Sequence, residues 1–288
     1  MKKIKSLKLL NKWKGLLFVL PSLLGVSIFY ILPAMQSVMY CFTSGIEERK
    51  FVGLAHFISL FNNQTYRLAT GNTLFITGIA LPLLCVLGII IAILLEKNIY
   101  RYHFLQVALL IPMALPAAAL MLWWHQLFDI NGVISHLLHY EVDWLRSRYA
   151  PFIVIGMIVW KNLGYNVLIL TSTLITMPKE YEEAASMDGA GFWSISCLIK
   201  VPHLVPSLFF TIILSFLNCF KIYREIYLLQ GDYPDSHIFL LQHFMSNNFV
   251  NLNYDLLTTS AFILYMVIFM IIYVLTKWQQ AYIKSNVY

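Results

Sequence analysis

Six long stretches of this sequence carry almost no charge, and a soluble fold has no place for them. A helix that crosses a bilayer needs about 20 predominantly apolar residues. Lys14 and Glu47 bracket the first run, centred on residues 15–42, and Arg67 and Glu96 bracket the second, 73–95. The third covers 104–128 and stops at Asp129, and the fourth, 152–176, holds one charge, Lys161. The fifth, 203–222, holds Lys221 near its end, and the sixth, 256–276, lies between Asp255 and Lys277. Charged residues make up only 12% of the 288, against 59% hydrophobic, which is half the roughly 25% charge of a soluble domain. A soluble chain of this size has too little interior to hide so much apolar surface, and 15% aromatics excludes disorder. The barrel alternative fails because its alternating ten-residue segments are absent. The runs therefore predict an all-α, polytopic membrane protein with six spans, since lipid tolerates no open sheet edge.

Pro21, Pro33, Pro82, Pro112 and Pro116 fall inside or at the ends of these runs. Membrane helices tolerate such prolines as packing kinks. Cys41, Cys85, Cys197 and Cys219 form no CxxC pair, so they read as small buried hydrophobes rather than a disulfide framework or metal site. The lysine-rich start followed by an apolar run has the outline of a signal peptide. The run is too long and no A-x-A-like site follows, so it reads as an uncleaved first span.

The net charge of +6 suggests nucleic-acid binding only until its placement is considered. With the N-terminus inside, six spans return the C-terminus to the cytoplasm. Twelve of the 20 basic residues then lie inside, six outside and two within spans, as the positive-inside rule requires. That balance leans on the six lysines of the 1–14 tail, whose remaining role is to rest on anionic lipid. The charge is a topology signature, and no nucleic-acid partner follows from it.

The inner loop at 177–201 has a composition of its own. Pro178 suits a first helical turn. Glu180, Glu182 and Glu183 follow near that helix's positive end, where carboxylates are favoured. Ala184, Ala185 and Ser186 are small enough for close approach by another surface, and Gly189 suits a positive φ that ends the helix. Residues 192–200 form a second short helix and Pro202 opens the fifth span. Glu183-Ala184-Ala185, three residues, Gly189, nine residues and Ile199-Lys200-Val201-Pro202 together resemble the EAA motif of membrane subunits of binding-protein-dependent ABC importers. That motif reads EAA, three residues, G, nine residues, I-x-L-P. Val201 replaces the leucine, and Asp188-Gly189-Ala190 matches the usual DGA.

The resemblance extends over nearly the whole chain and is closest to the carbohydrate branch, the maltose and glycerol-phosphate type permeases. Phe51-Val52-Gly53-Leu54 with Phe57, Asn72-Thr73-Leu74, Asp143-Trp144-Leu145 and Trp160-Lys161-Asn162-Leu163-Gly164-Tyr165-Asn166 each resemble a family box. Leu229-Gln230-Gly231-Asp232-Tyr233-Pro234 departs from the family's L-T-G-G-G-P, which points to a different binding-protein partner. The resemblance implies an ABC transmembrane type-1 domain over 68–280. It also implies a coupling loop in which Glu183, Ala184, Ala185, Asp188, Gly189 and Ala190 dock on an ATP-binding subunit. The implied partners are a second homologous permease, two ATP-binding subunits and an extracytoplasmic solute-binding protein. The chain itself has no G-x-x-x-x-G-K-[ST] loop, no H-E-x-x-H and no nucleophile elbow. It is therefore expected to bind no cofactor, with ATP used by a partner, and to be no enzyme.

An ionisable residue within a span is a functional candidate. Lys161 stands ten residues into the fourth run, about 15 Å along a helix. Asn162 and Asn166 share one face, and Ser215, Asn218 and Lys221 recur every third residue. Two polar stripes on adjacent helices suit a hydrophilic path, in which Tyr165 offers a sugar ring an apolar face with a polar tip. The resemblance places solute contacts on the same two helices and adds Gly164. The same residue types also serve as interhelical hydrogen bonds, Lys221 reaches an interface by snorkelling, and Lys161 has the alternative of an ion pair. Trp123-Trp124-His125 reads as an interfacial aromatic belt, and His136 with His139 is too little for a metal site. A proton-coupled secondary transporter would place an acid within a span, and none of the six runs contains one. A glycerol-phosphate-like solute remains the alternative to a sugar.

Overall fold

The computed structural model describes residues 18–45, 50–97, 103–140 and 142–286; the basic tail lies outside them. Helix α1 covers Phe18–Tyr40 and is followed by a hairpin of β1 (Thr43–Ser44) and β2 (Lys50–Phe51). Next come α2 (Ala55–Asn62), α3 (Gln64–Glu96), α4 (His103–Ala114), α5 (Ala117–Phe128) and α6 (Val133–Leu138). They are followed by α7 (Ala150–Ile175), α8 (Glu180–Met187) and α9 (Phe192–Ile195). A π-turn at Ser196–Lys200 leads from α9 into α10 (Val201–Lys221), which continues as α11 (Tyr223–Gln230). Helices α12 (Leu241–Val250) and α13 (Tyr254–Asn286) complete the chain. Among the described residues, five helices are long and apolar enough to cross a membrane, or six if one bent pair counts as a span.

That bent pair is the third run. Phe104–Ala114 and Ala117–Leu138 meet at 98°, where the sequence predicts one helix over 104–128. Pro116 adopts an extended ψ of 135°, and a proline pushes the preceding residue, here Leu115, away from helical geometry. Pro82, Pro112 and Pro206 stay inside α3, α4 and α10, so only one of these prolines breaks its helix.

The chain divides into two compact units, residues 1–63 with 248–266, and 64–247 with 267–288. In the first, the FVGL segment has a clear structural task. Thr43 pairs with Phe51 and Ser44 with Lys50, and Gly53 turns the chain into α2 with a φ of 61°. Phe42, Phe57 and Phe262 form an aromatic cluster with ring centroids 5.5–6.3 Å apart.

The second unit is built on two fourfold stripes. In α3, Ile76, Ala80, Leu84, Gly88 and Ala92 are buried, and in α7 so are Val154, Ile158, Asn162, Asn166, Leu170 and Leu174. Residues four apart lie on one helix face, so α3 and α7 pack along these stripes. Small residues allow their close approach: a Cβ on Gly88 would stand 3.4 Å from Asn166 Cβ. Helix α10 packs against both, with Cys219 in the core, and Ile222 and Ile226 extend that core past its end.

Candidate functional site

Helix α8 is short, and its ends explain its sequence. Glu180, Glu182 and Glu183 occupy its first turn, next to the unpaired N–H groups at the positive end of the helix. At the other end Gly189 N–H donates to Ser186 O (3.1 Å) and Ala190 N–H donates to Ala185 O (2.9 Å). These two bonds make a Schellman closure, which needs a left-handed residue at the turn. Gly189 supplies it with a φ of 81°. Glu183, Ala184, Asp188 and Gly189 are exposed, whereas Ala185 and Ala190 are half-buried. Met187 and Trp193 stand beside them, 88% and 77% exposed, so the loop presents a small, acidic surface with apolar flanks.

Behind that surface Lys200 is fully buried. Its ammonium pairs with the Glu96 carboxylate at the end of α3 and with Glu182 Oε1 of α8 at 3.0 Å. An open cleft of about 720 Å3 is lined by Glu96, Lys97, Lys179, Glu182, Glu183, Ser186 and Met187. Lys97 Nζ lies 5.1 Å from the centre of the Phe192 ring, joining α3 to the second loop helix.

The mid-span candidates meet at the seam of α7 and α10. The Tyr165 hydroxyl and Ser215 Oγ are 2.9 Å apart, and Asn166 Nδ2 donates to the same oxygen at 3.0 Å. Asn166 and Ser215 are 1% and 0% exposed. Asn162 Nδ2 donates to Ile158 O within α7 (2.8 Å). Asn218 is half-buried and within hydrogen-bonding reach of Tyr165. Gly164 marks a helix crossing, because a Cβ there would stand 2.0 Å from the backbone oxygen of Leu109 in α4. Lys161 forms an ion pair with Glu225 of α11.

A sequence model of the family described as binding-protein-dependent transport system inner membrane component matches residues 85–287. The chain belongs to this family. It is 32% identical over 220 residues to the sn-glycerol-3-phosphate transport system permease protein UgpA of Escherichia coli, covering 73% of this chain and 74% of that one. It is 26% identical over 231 residues to the lactose transport system permease protein LacF of Rhizobium radiobacter, covering 77% and 78%. Its fold matches a chain in the crystal structure of a bacterial ABC transporter involved in the import of the acidic polysaccharide alginate. The TM-score is 0.82 at 19% identity, over 98% of this chain and 99% of the other. The protein is thus an ABC importer permease of the type-1 fold in a prokaryotic inner membrane, and the ATPase activity of such systems lies on separate subunits.

The boxes quoted from the sequence of this permease have visible structural tasks. Asn72 Nδ2 donates to the carbonyls of Ser236 (2.7 Å) and Phe239 (3.0 Å), and Thr73 Oγ1 accepts from Leu241 N–H (2.9 Å). Together they clamp the 231–241 segment onto α3. Trp144 Nε1 donates to Ser135 Oγ (3.0 Å), and Leu145 O accepts from Gln230 Nε2 (2.9 Å). Trp160 stacks on Trp123 with centroids 5.5 Å apart. Glu225 escapes the sequence reading, because the fifth run ends at Ile222 and leaves it outside any span. Glu96 and Lys200 escape it as well, read as a run boundary and an inner-loop cation. A basic residue in the unspecified position of I-x-L-P, just before an apolar run, was the available signal.

Proposed function

We propose that this permease forms half of the translocation pathway of an ATP-driven importer of a carbohydrate. A second homologous permease supplies the other half as a heterodimer, an extracytoplasmic solute-binding protein delivers the solute, and two ATP-binding subunits provide the energy. Both termini are cytoplasmic, so the 177–201 loop meets the ATPase on that side. This chain binds no cofactor, and ATP acts only on the partner. The observation that carries the reading is the α8 surface. Its exposed acids Glu180 and Glu183 pair with basic groups on the ATPase, and Ala184, Ala185 and Ala190 admit a close fit, with Asp188 and Gly189 shaping the turn. Closure of the ATPase on ATP then shifts the populations of inward- and outward-facing states through contacts that differ between them.

The solute path runs along the α7–α10 seam, with Lys161, Asn162, Gly164, Tyr165, Asn166, Ser215 and Asn218 as its candidate residues. The support is the concentration of polar side chains at membrane depth, where they are otherwise unfavourable. Most of these groups are hydrogen-bonded within the chain, so solute contact requires the seam to open during the cycle. A sugar is favoured because Glu225 neutralises Lys161, so Lys161 offers an anionic solute no unpaired charge. The second reading, a glycerol-phosphate-like solute, rests on the 32% identity to UgpA.

The test is co-purification with the neighbouring gene products, followed by solute binding to the binding protein and uptake in proteoliposomes. Transport by the chain alone without ATP would sink the importer reading. For the loop, Gly189→Pro is decisive, because proline fixes φ near −65° where 81° is needed. ATP hydrolysis should persist while uptake fails, and normal uptake removes the loop from the coupling route.

A further inference from the structure

The Lys200 ion triad joins three elements that the coupling reading leaves separate. Helix α8 is tied to the bundle through backbone only at its ends, by residues 176–179 and by the turn at Gly189. The Lys200 side chain crosses this gap. It leaves the π-turn between α9 and α10, reaches Glu182 in the first turn of α8, and reaches Glu96 at the end of α3. A π-turn inside a helix is a common marker of a functional position.

We propose that Lys200 is a positioning residue for energy coupling, a buried strut through which displacement of α8 moves α3 and α10 together. This deepens the loop reading above and rests on it. The pairing suits the task because withdrawing a carboxylate strands the buried Lys200 ammonium away from water, so the contact resists partial slippage. Two carboxylates on one ammonium also tie α8 and α3 to the same point, and the ammonium has enough donors for both. Lys97 and Lys179 line the neighbouring cleft, and their charge offsets the excess negative charge of the triad.

The test uses the complete assembly in proteoliposomes: both permeases, two ATPase subunits and the binding protein. Three quantities are read, namely attachment of the ATPase subunit, ATP hydrolysis and solute uptake per ATP. Lys200→Met should leave attachment intact while uptake per ATP falls about tenfold, within the 5–150-fold range typical of coupling between sites. Lys200→Arg should restore most of it. If Lys200→Met does not assemble, the neutral triad Lys200→Met, Glu96→Gln, Glu182→Gln takes its place, since it strands no buried charge. It should assemble and be uncoupled. Normal uptake per ATP in the neutral triad overturns the strut, as does loss of uptake that only parallels loss of ATPase attachment. Ala184→Arg, on the exposed face of α8, separates the two claims. If it leaves attachment and coupling unchanged, the loop reading itself fails. If it detaches the ATPase while the triad variants stay coupled, only the strut fails.

Discussion

Replacing Gly164 with alanine puts one methyl group where two helices already touch. The added Cβ would stand 2.0 Å from Leu109 O, 2.6 Å from Leu109 C and 3.0 Å from Leu110 N. Ordinary contact begins near 3.4 Å, so α4 and α7 must separate by more than about 1 Å, because backbone atoms cannot rotate away as a side chain can. Overpacking of this kind costs about 1–3 kcal/mol, and a helix pair held by close packing of small residues loses its remaining contacts as it parts. On the scale of soluble domains that is a melting loss of roughly 2–12 °C. Gly156, eight residues earlier in α7, is the control, since a Cβ there meets nothing within 4 Å. Gly156→Ala should melt at or above the parent, because alanine is favoured over glycine in a helix by about 1 kcal/mol. Thermal unfolding of the purified permease in detergent measures both. If Gly164→Ala melts as high as Gly156→Ala, the close crossing of α4 over α7 is wrong.

Lys161→Met strands the Glu225 carboxylate, which is 3% exposed; the expected loss is about 3–5 kcal/mol. Lys161→Met with Glu225→Gln should recover most of it in the same melts, and equal losses in the two variants would contradict the pairing. Asn72→Ala removes the donor shared by Ser236 O and Phe239 O, at about 1–3 kcal/mol of local stability. Hydrogen exchange across residues 236–241 should accelerate, and unchanged protection would refute the clamp. Burial within α12 pushes the His243 imidazole down from 6.5 to about 4. The unfolded chain binds the extra proton between those values, so stability is full above pH 6.5 and falls as pH drops toward 4, by roughly 3 kcal/mol at 1.36 kcal/mol per pH unit. His243→Gln should flatten that part of the stability–pH curve, and an unchanged slope would place the titration elsewhere.

What was legible in the sequence was what is local. The EAA spacing lies within about 20 residues, and its glycine, acids and alanines each answer to one turn of backbone geometry. The apolar runs were legible because lipid imposes a length. The 98° bend was not, since Pro112 and Pro116 look alike in a run and only Pro116 ends its helix. The polar face of α7 was visible as a fourfold stripe. However, a stripe that faces α3 and α10 has the same period as one that faces a pore, and only packing separates the two. Glu225 and Lys200 were misread for a common reason. Charge was used to mark where spans stop, which hides a charge that a distant partner carries inside. Their partners lie 64 and 104 residues away.

The Lys161–Glu225 pair also has a consequence for biogenesis. Helix α7 is synthesised before its counter-charge exists, and at 5–20 residues per second the 64 intervening residues take roughly 3–13 s to emerge. For that interval α7 carries a mid-span ammonium worth about 2.5–3.5 kcal/mol against insertion. It is also the least hydropathic of the five long spans, at 1.7. Until α10 and α11 arrive, α7 is therefore the long span with the least apolar drive to enter the bilayer.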